Sequence, residues 1–362
     1  MESERAKSLE TCWAVGIDKH CFVDARLVAG RRRSQANASS PPDKRNKNAA
    51  GDEIVPIRWH CVMLHGNDGF FKIRALCAPT YQSTQLTGIM ETILAGTNRL
   101  LELLGHNEAP FGLCYTDEKP DGYGPKSGEI FTREREEAGL INWQKAFTDF
   151  SCLIGNLWLA RKKGKAAWIS HSECGCMGGG FYAGLYRPWL EMNIHYVSTG
   201  IPEAGLEGEH YLPSPEAMRD FMADAQPPEA AGKYCVLKPL AQHAIPPLVV
   251  IFFARPEALT GLFSLVSYAA GHHQAVVSPF GAGCSNIIAW PLAYHAKGIE
   301  CAVLGGFDPS ARKFLKADEL SLAMPLSLYR KMLAVLEDSS LTRDTWRDTR
   351  KKVLRSRRAW GE

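Results

Sequence analysis

The sequence predicts an α/β fold, and three observations predict it. From about residue 83 onward, helical segments with one apolar face alternate with short apolar strands. Turns rich in Gly and Pro divide them. The order strand, proline, helix, strand, Gly/Cys turn, helix appears twice, which is the pattern expected of two similar halves from a weak internal duplication.

Taken in order, "GRRRSQANASSPPDKRNKNAAGD" (30–52) has almost no apolar content and is expected to be a disordered linker within an N-terminal extension, residues 1–82. The extension holds Cys12, Cys21, Cys61 and Cys77 at irregular spacing. The first strong helix follows, with Leu86, Ile89, Ile93, Leu100, Leu103 and Leu104 on one face and Gly105 to end it. "PFGLCYTDEKP" reads as a strand stopped by Pro120. A second helix carries Trp143, Phe147, Phe150, Ile154, Leu157 and Trp158 and ends in basic residues before Gly164. "KAAWISHSE" is a strand that leads into "CGCMGGG", and "FYAGLYRPWL" is a helix leaving it.

In the second half "PPLVVIFFARP" is a buried strand and "PEALTGLFSLVSYAAG" a helix. "HHQAVVSPF" is then a strand, "GAGCS" a turn and "NIIAWPLAYHAKG" a helix. The main domain is therefore placed at residues 83–335, with halves at about 83–200 and 240–335. Residues 336–362 form a basic tail, either helical or disordered.

Composition narrows the partners. With 42 Lys and Arg against 39 Asp and Glu, the formal charge of +3 does not call for a nucleic acid or a membrane. The basic excess is local, in "GRRRSQ" and "RDTRKKVLRSRR", and reads as solvated. The longest apolar runs fall far short of the ~20 residues that span a bilayer, and the start of the chain lacks a secretory pattern, so a cytoplasmic location is expected. Eleven cysteines without an export signal point to reduced thiols and metal ligands instead of a disulfide framework. A homo-oligomer is compatible with the Gly-rich loops and with Trp189.

The chemistry-bearing candidates are cysteines at strand-to-helix turns. The unpaired N–H groups of a helix's first turn favour an anion, and a thiolate is one. Cys174, Cys176 and Cys284 sit in such turns, and Cys176 and Cys284 take matching places in the two halves. Cys114 and Cys235 lie in apolar strands and are assigned to the core, and Cys152 lies on an apolar helix. There is no paired CxxC, GxSxG, HExxH or phosphate-loop motif.

The runs "PFGLCYTDEKP", "FSCLIGNLWLARKKGKAAWISHSECGCMGGGFYAGL", "PPLVVIFFARPEALTGLFSLVSYAAG" and "FGAGCSNIIAWPLAYHAKGIECAVLGGFDPSARKFLKADELSLAMPLSLYRKML" resemble the uncharacterised bacterial and archaeal family known as domain of unknown function 169. The likeness covers roughly residues 84 to 335. It implies an α/β fold with a cysteine-lined centre, and its cysteine positions fall on Cys152, Cys176, Cys284 and Cys301. It supplies no activity. On this basis the four thiols, with Cys174 as a substitute, are expected to bind an iron–sulfur cluster or another soft metal and to serve a small-molecule ligand. Two alternatives stay open. One is a metal-free enzyme with Cys176 or Cys284 as nucleophile and His171 or His273 as base. The other is a non-catalytic module that binds a small ligand.

Overall fold

The computed structural model describes residues 83–126, 151–185, 191–205 and 207–361. The extension and its linker lie outside the described residues, as do Trp143, Phe147, Phe150 and Trp189. The elements are helix α1 (Ser83–Leu104), strands β1 (Phe111–Thr116) and β2 (Gly122–Tyr123), α2 (Leu153–Lys163), β3 (Ala166–Ser170), α3 (Met177–Tyr182), α4 (Glu191–Val197), α5 (Pro215–Asp224) and β4 (Tyr234–Pro239). There follow β5 (Val249–Ala254), α6 (Pro256–Ala270), β6 (Val276–Val277), α7 (Trp290–Lys297), β7 (Ala302–Gly305), β8 (Leu320–Pro325), α8 (Leu326–Ala334) and α9 (Asp344–Trp360). A π-helical turn, Ser285–Ala289, runs directly into α7.

The strands form one mixed sheet in the order β2-β3-β4-β1-β5-β8-β7-β6. The two edge pairs are parallel, and every pairing between them is antiparallel. Side chains alternate across it as a pleated strand requires. In β5, Val249, Ile251 and Phe253 face one core, and Val250, Phe252 and Ala254 face the other. The second core packs α1, α6, α8 and α9 through Leu100, Leu262, Tyr329 and Trp346. The first packs α2, α3, α5 and α7 through Leu157, Tyr182, Met218 and Leu292. Both faces of β5 are covered, so this strand reads as a continuous apolar run.

From the centre outward, each half of the sheet contains its first, fourth, third and second strand in chain order. This order revises one expectation. Cys284 lies in the connection between the parallel strands β6 and β7. The connection in the same topological place in the other half joins β2 to β3, and its helix begins at Cys152. Cys176 follows β3 and lies on the way to β4, so Cys152, not Cys176, is the positional counterpart of Cys284.

Local sequence explains several boundaries. α2 ends at Gly164 and α6 at Gly271, both left-handed with φ near +60° and +77°. α6 begins with Pro256, whose missing N–H costs nothing there. Gly178, Gly179 and Gly180 of "CGCMGGG" lie in α3 and not in a loop before it. A Cβ on Gly179 would come within 3.2 Å of the Ile169 methyl, so the small residue lets α3 seat on β3. The basic segment is the helix α9, anchored by buried Trp346, whose Nε1 donates to the Leu103 carbonyl at 3.0 Å.

Buried charge is concentrated at the end of α2. Arg161 donates to both oxygens of Glu108 (2.6 and 2.9 Å) and of Glu319 (2.9 and 2.8 Å), and its guanidinium lies 4.0 Å from the Phe253 ring centroid. Burial pushes the Glu319 carboxyl up, but Arg161 and Lys316 outweigh this and hold it below the usual range. No helix among the described residues is long and apolar enough to cross a membrane.

Candidate functional site

Cys152 and Cys176 each occupy the residue just before a helix, α2 and α3 respectively, in extended backbone. The N–H groups of Ile154 and Gly155 act on the Cys152 sulfur, and those of Gly178 and Gly179 on the Cys176 sulfur, though neither contact closes into a full capping hydrogen bond. Cys284 precedes the π turn and is buried. Gly283 next to it packs so closely on α2 that a Cβ there would lie 3.3 Å from Ile154.

Three connections therefore bring three thiols together. Cys152 and Cys176 both act on the ionisation of Cys284, and Cys152 acts on Cys176. Cys174 also reaches Cys284 electrostatically. Its thiol, however, donates to the Cys176 carbonyl at 2.9 Å, and so it braces the turn. Cys301 is not brought to this group. It lies at the start of β7, the opposite end of the α7 connection from Cys284, with its sulfur 3.8 Å from the Gln274 carbonyl. An eight-residue helix and a π turn separate the two along the chain. Cys114 lies half-buried in β1, and Cys235 is fully buried in β4.

Burial dominates the thiols' acidity. It pushes Cys152 up, against the pull of the Gly155 and Ile154 N–H groups and of Lys313. Burial and the neighbouring Cys152 push Cys176 up to about 12. Cys284, buried beside Cys152 and Cys176, goes well above its ordinary value. Helix N-termini alone do not overcome desolvation here.

Cys152 and Cys176 line a cavity of about 490 Å³, a size that suits a small organic molecule. Its walls come from helices and loops, none from strands. Asp308 is a wall residue that sequence reasoning missed. Its carboxylate accepts from the Gly283 N–H (2.8 Å), the Ser310 N–H (2.9 Å) and the Ser310 hydroxyl (2.9 Å), so it ties the loop before Cys284 to the turn after β7. Glu209 is a second, in a segment assigned no role from sequence. The "GGFDPS" turn was a readable signal for Asp308, and nothing local marks Glu209.

Neither histidine named as a base lines the cavity, and His272 and His273 are exposed. Among the described residues, no group of three or more His, Cys, Asp or Glu side chains stands at metal-ligand spacing. The thiols are near one another but not drawn in to a common centre.

Fold and site together define a mixed α/β protein with a thiol-floored cavity on one face of its sheet. The chain belongs to the family domain of unknown function 169, described as uncharacterised ArCR, whose model matches residues 99–335. Neither a curated protein nor a solved structure matches the chain.

Proposed function

We propose that this protein binds a small molecule in the cavity, over a thiol centre of Cys152, Cys176 and Cys284 that takes a soft metal ion or an iron–sulfur cluster. The observation that carries the reading is the mutual electrostatic reach of these three thiols, with two of them lining the cavity. Thiols whose pKa burial has raised hold their protons until a soft cation replaces them, so uptake releases protons and strengthens with pH. The sulfurs must move together to ligate. Cys174, which reaches Cys284 electrostatically, is the fourth donor.

The test is anaerobic purification of the full chain followed by iron, sulfide and zinc analysis and a visible spectrum. Bound metal that falls in Cys176→Ser and Cys284→Ser but not in Cys301→Ser supports the reading. Protein that is metal-free and takes up neither iron with sulfide nor zinc on reconstitution overturns it.

A second reading rests on Lys313 and the Gly155 and Ile154 N–H groups, all of which pull Cys152 toward its thiolate. That combination suits a cysteine nucleophile. It calls for Cys152 to be the thiol alkylated fastest, and for a base other than His171 or His273.

A further inference from the structure

The segment Gly208–Leu212 presents Glu209, Tyr211 and Leu212 to the cavity. The backbone N–H groups of Glu209, His210 and Tyr211 donate to the carbonyls of Tyr196 (2.6 Å), Ser198 (2.9 Å) and Val197 (3.1 Å), which fastens the segment along the end of α4. Gly208 has φ +86°, and a Cβ there would lie 2.8 Å from the Ser198 carbonyl oxygen. His210 has φ 55° without being glycine, the one such residue among those described. Strained backbone of this kind persists where the surroundings over-determine it, and it clusters at ligand sites. His210 itself is exposed, while Glu209 and Tyr211 on either side line the cavity.

The charge that acts on the half-buried Glu209 carboxylate is another carboxylate, Asp308. Asp308 already accepts three hydrogen bonds from Gly283 and Ser310. The Glu209 side chain accepts none from the described residues. Among the described lining residues the cation is Lys313, which lies over the Phe314 ring, 5.1 Å from its centroid, and acts on Cys152. Around Glu209 the wall is aromatic: Tyr196, Tyr211 and Phe280, with Tyr211 and Phe280 edge to face at 5.8 Å. A partly desolvated carboxylate among several aromatic rings is complementary to a positive charge on an organic body.

We propose that the cavity's ligand is an organic cation, an amine or quaternary ammonium, with its charged group against Glu209 among the rings of Tyr196, Tyr211 and Phe280. This rests on the reading of the cavity as a small-molecule site and is independent of whether the thiols hold metal. Phenethylamine and benzyltrimethylammonium are titrated calorimetrically into the full chain, with phenylethanol and phenylacetate as neutral and anionic counterparts. The expected result is that the two cations bind at least about tenfold more tightly than either counterpart, a difference one lost ionic contact would erase. Glu209→Gln should remove that preference and leave phenylethanol binding unchanged.

Phenylacetate binding more tightly than phenethylamine, failure of both cations to bind below about 1 mM, or an unchanged preference in E209Q would each overturn the proposal. Cys176→Ser separates the two readings. A cation preference that survives in metal-free C176S stands without the thiol centre. Loss of preference in metal-loaded wild-type protein refutes the cation and leaves the metal reading intact.

Discussion

Replacing Arg161 with Met keeps an aliphatic stem and removes the guanidinium, together with its contact over the Phe253 ring. Four charge-assisted hydrogen bonds of 2.6 to 2.9 Å disappear with it. Glu319, whose side chain is only 3% exposed, is left with Lys316 at 3.6 Å as its remaining ion-pair partner. Breaking a buried pair in this way costs about 3–5 kcal/mol, because the surviving charge stays desolvated. The exposed Lys165–Asp121 pair, at 3.4 Å, gives the contrast, since its loss should be scarcely measurable.

Urea unfolding of R161M is therefore expected to show a much lower midpoint at unchanged slope, and R161M/E319L to recover much of the loss. There is a pH signature as well. Glu319 is held below its ordinary range, so its contribution is present above the unfolded carboxylate pKa and is lost as the pH falls through the folded one. R161M should flatten that acid limb. A destabilisation below about 1 kcal/mol, or a double variant as unstable as the two singles summed, would refute the reasoning.

Three further outcomes follow from other buried groups. Desolvation, with Lys238 nearby, pushes His243 down to about 4; its stabilising contribution should be complete above pH ~6.5 and fall by about 3 kcal/mol as the pH drops toward 4. His243→Leu should lose this slope, and an imidazole resonance titrating above pH ~6 in NMR would contradict it. Asp308→Ala removes the acceptor for the Gly283 N–H and should cost about 1–3 kcal/mol, seen as lower stability and faster hydrogen exchange at Gly283. With Cys176 near 12, iodoacetamide should label it slowly in the native protein even at mildly alkaline pH. Labelling at the denatured rate would show the thiol to be neither buried nor suppressed.

Much of the fold was legible because period and punctuation agreed. The apolar face of α1, the run in β5 and the Pro256 start and Gly271 stop of α6 each carry their own signal. β4, β7 and β8 were harder. "YCVLKP" becomes a central strand only because β1 and β3 pair on either side of it, and no local pattern records that. The run Gly178–Gly180 reads as loop because glycine is a poor helix former, yet close seating of Gly179 on Ile169 favours a small residue there in α3.

The cysteines divide in the same way. Their location at helix starts could be read from the chain, whereas the partners could not. Glycine richness drew Cys176 and Cys284 together on paper, while "CLIGNLWLARKKG" and "CSNIIAWPLAYHAKG" share the better signal: a thiol, an apolar run, then basic residues and Gly. Cys301 follows a helix instead of opening one, and the eight residues of α7 carry it away from the others. Glu209 gave no sign because its role depends on how Gly208–Leu212 lies along α4.

The π turn at Ser285–Ala289 holds one residue more than an α-helix would use over the same rise. Excising any one residue from it would let the helix close in regular register. The wide turn absorbs that surplus residue, so this deletion would leave Cys284 facing as it does, whereas one residue taken from α7 itself would rotate everything before the cut by about 100° and swing Cys284 away from Cys152 and Cys176. The length of α7 is thus one the thiol centre depends on, and a single-residue deletion there is a sharper instrument than any substitution. It would leave every cysteine in the chain and aim one of them elsewhere.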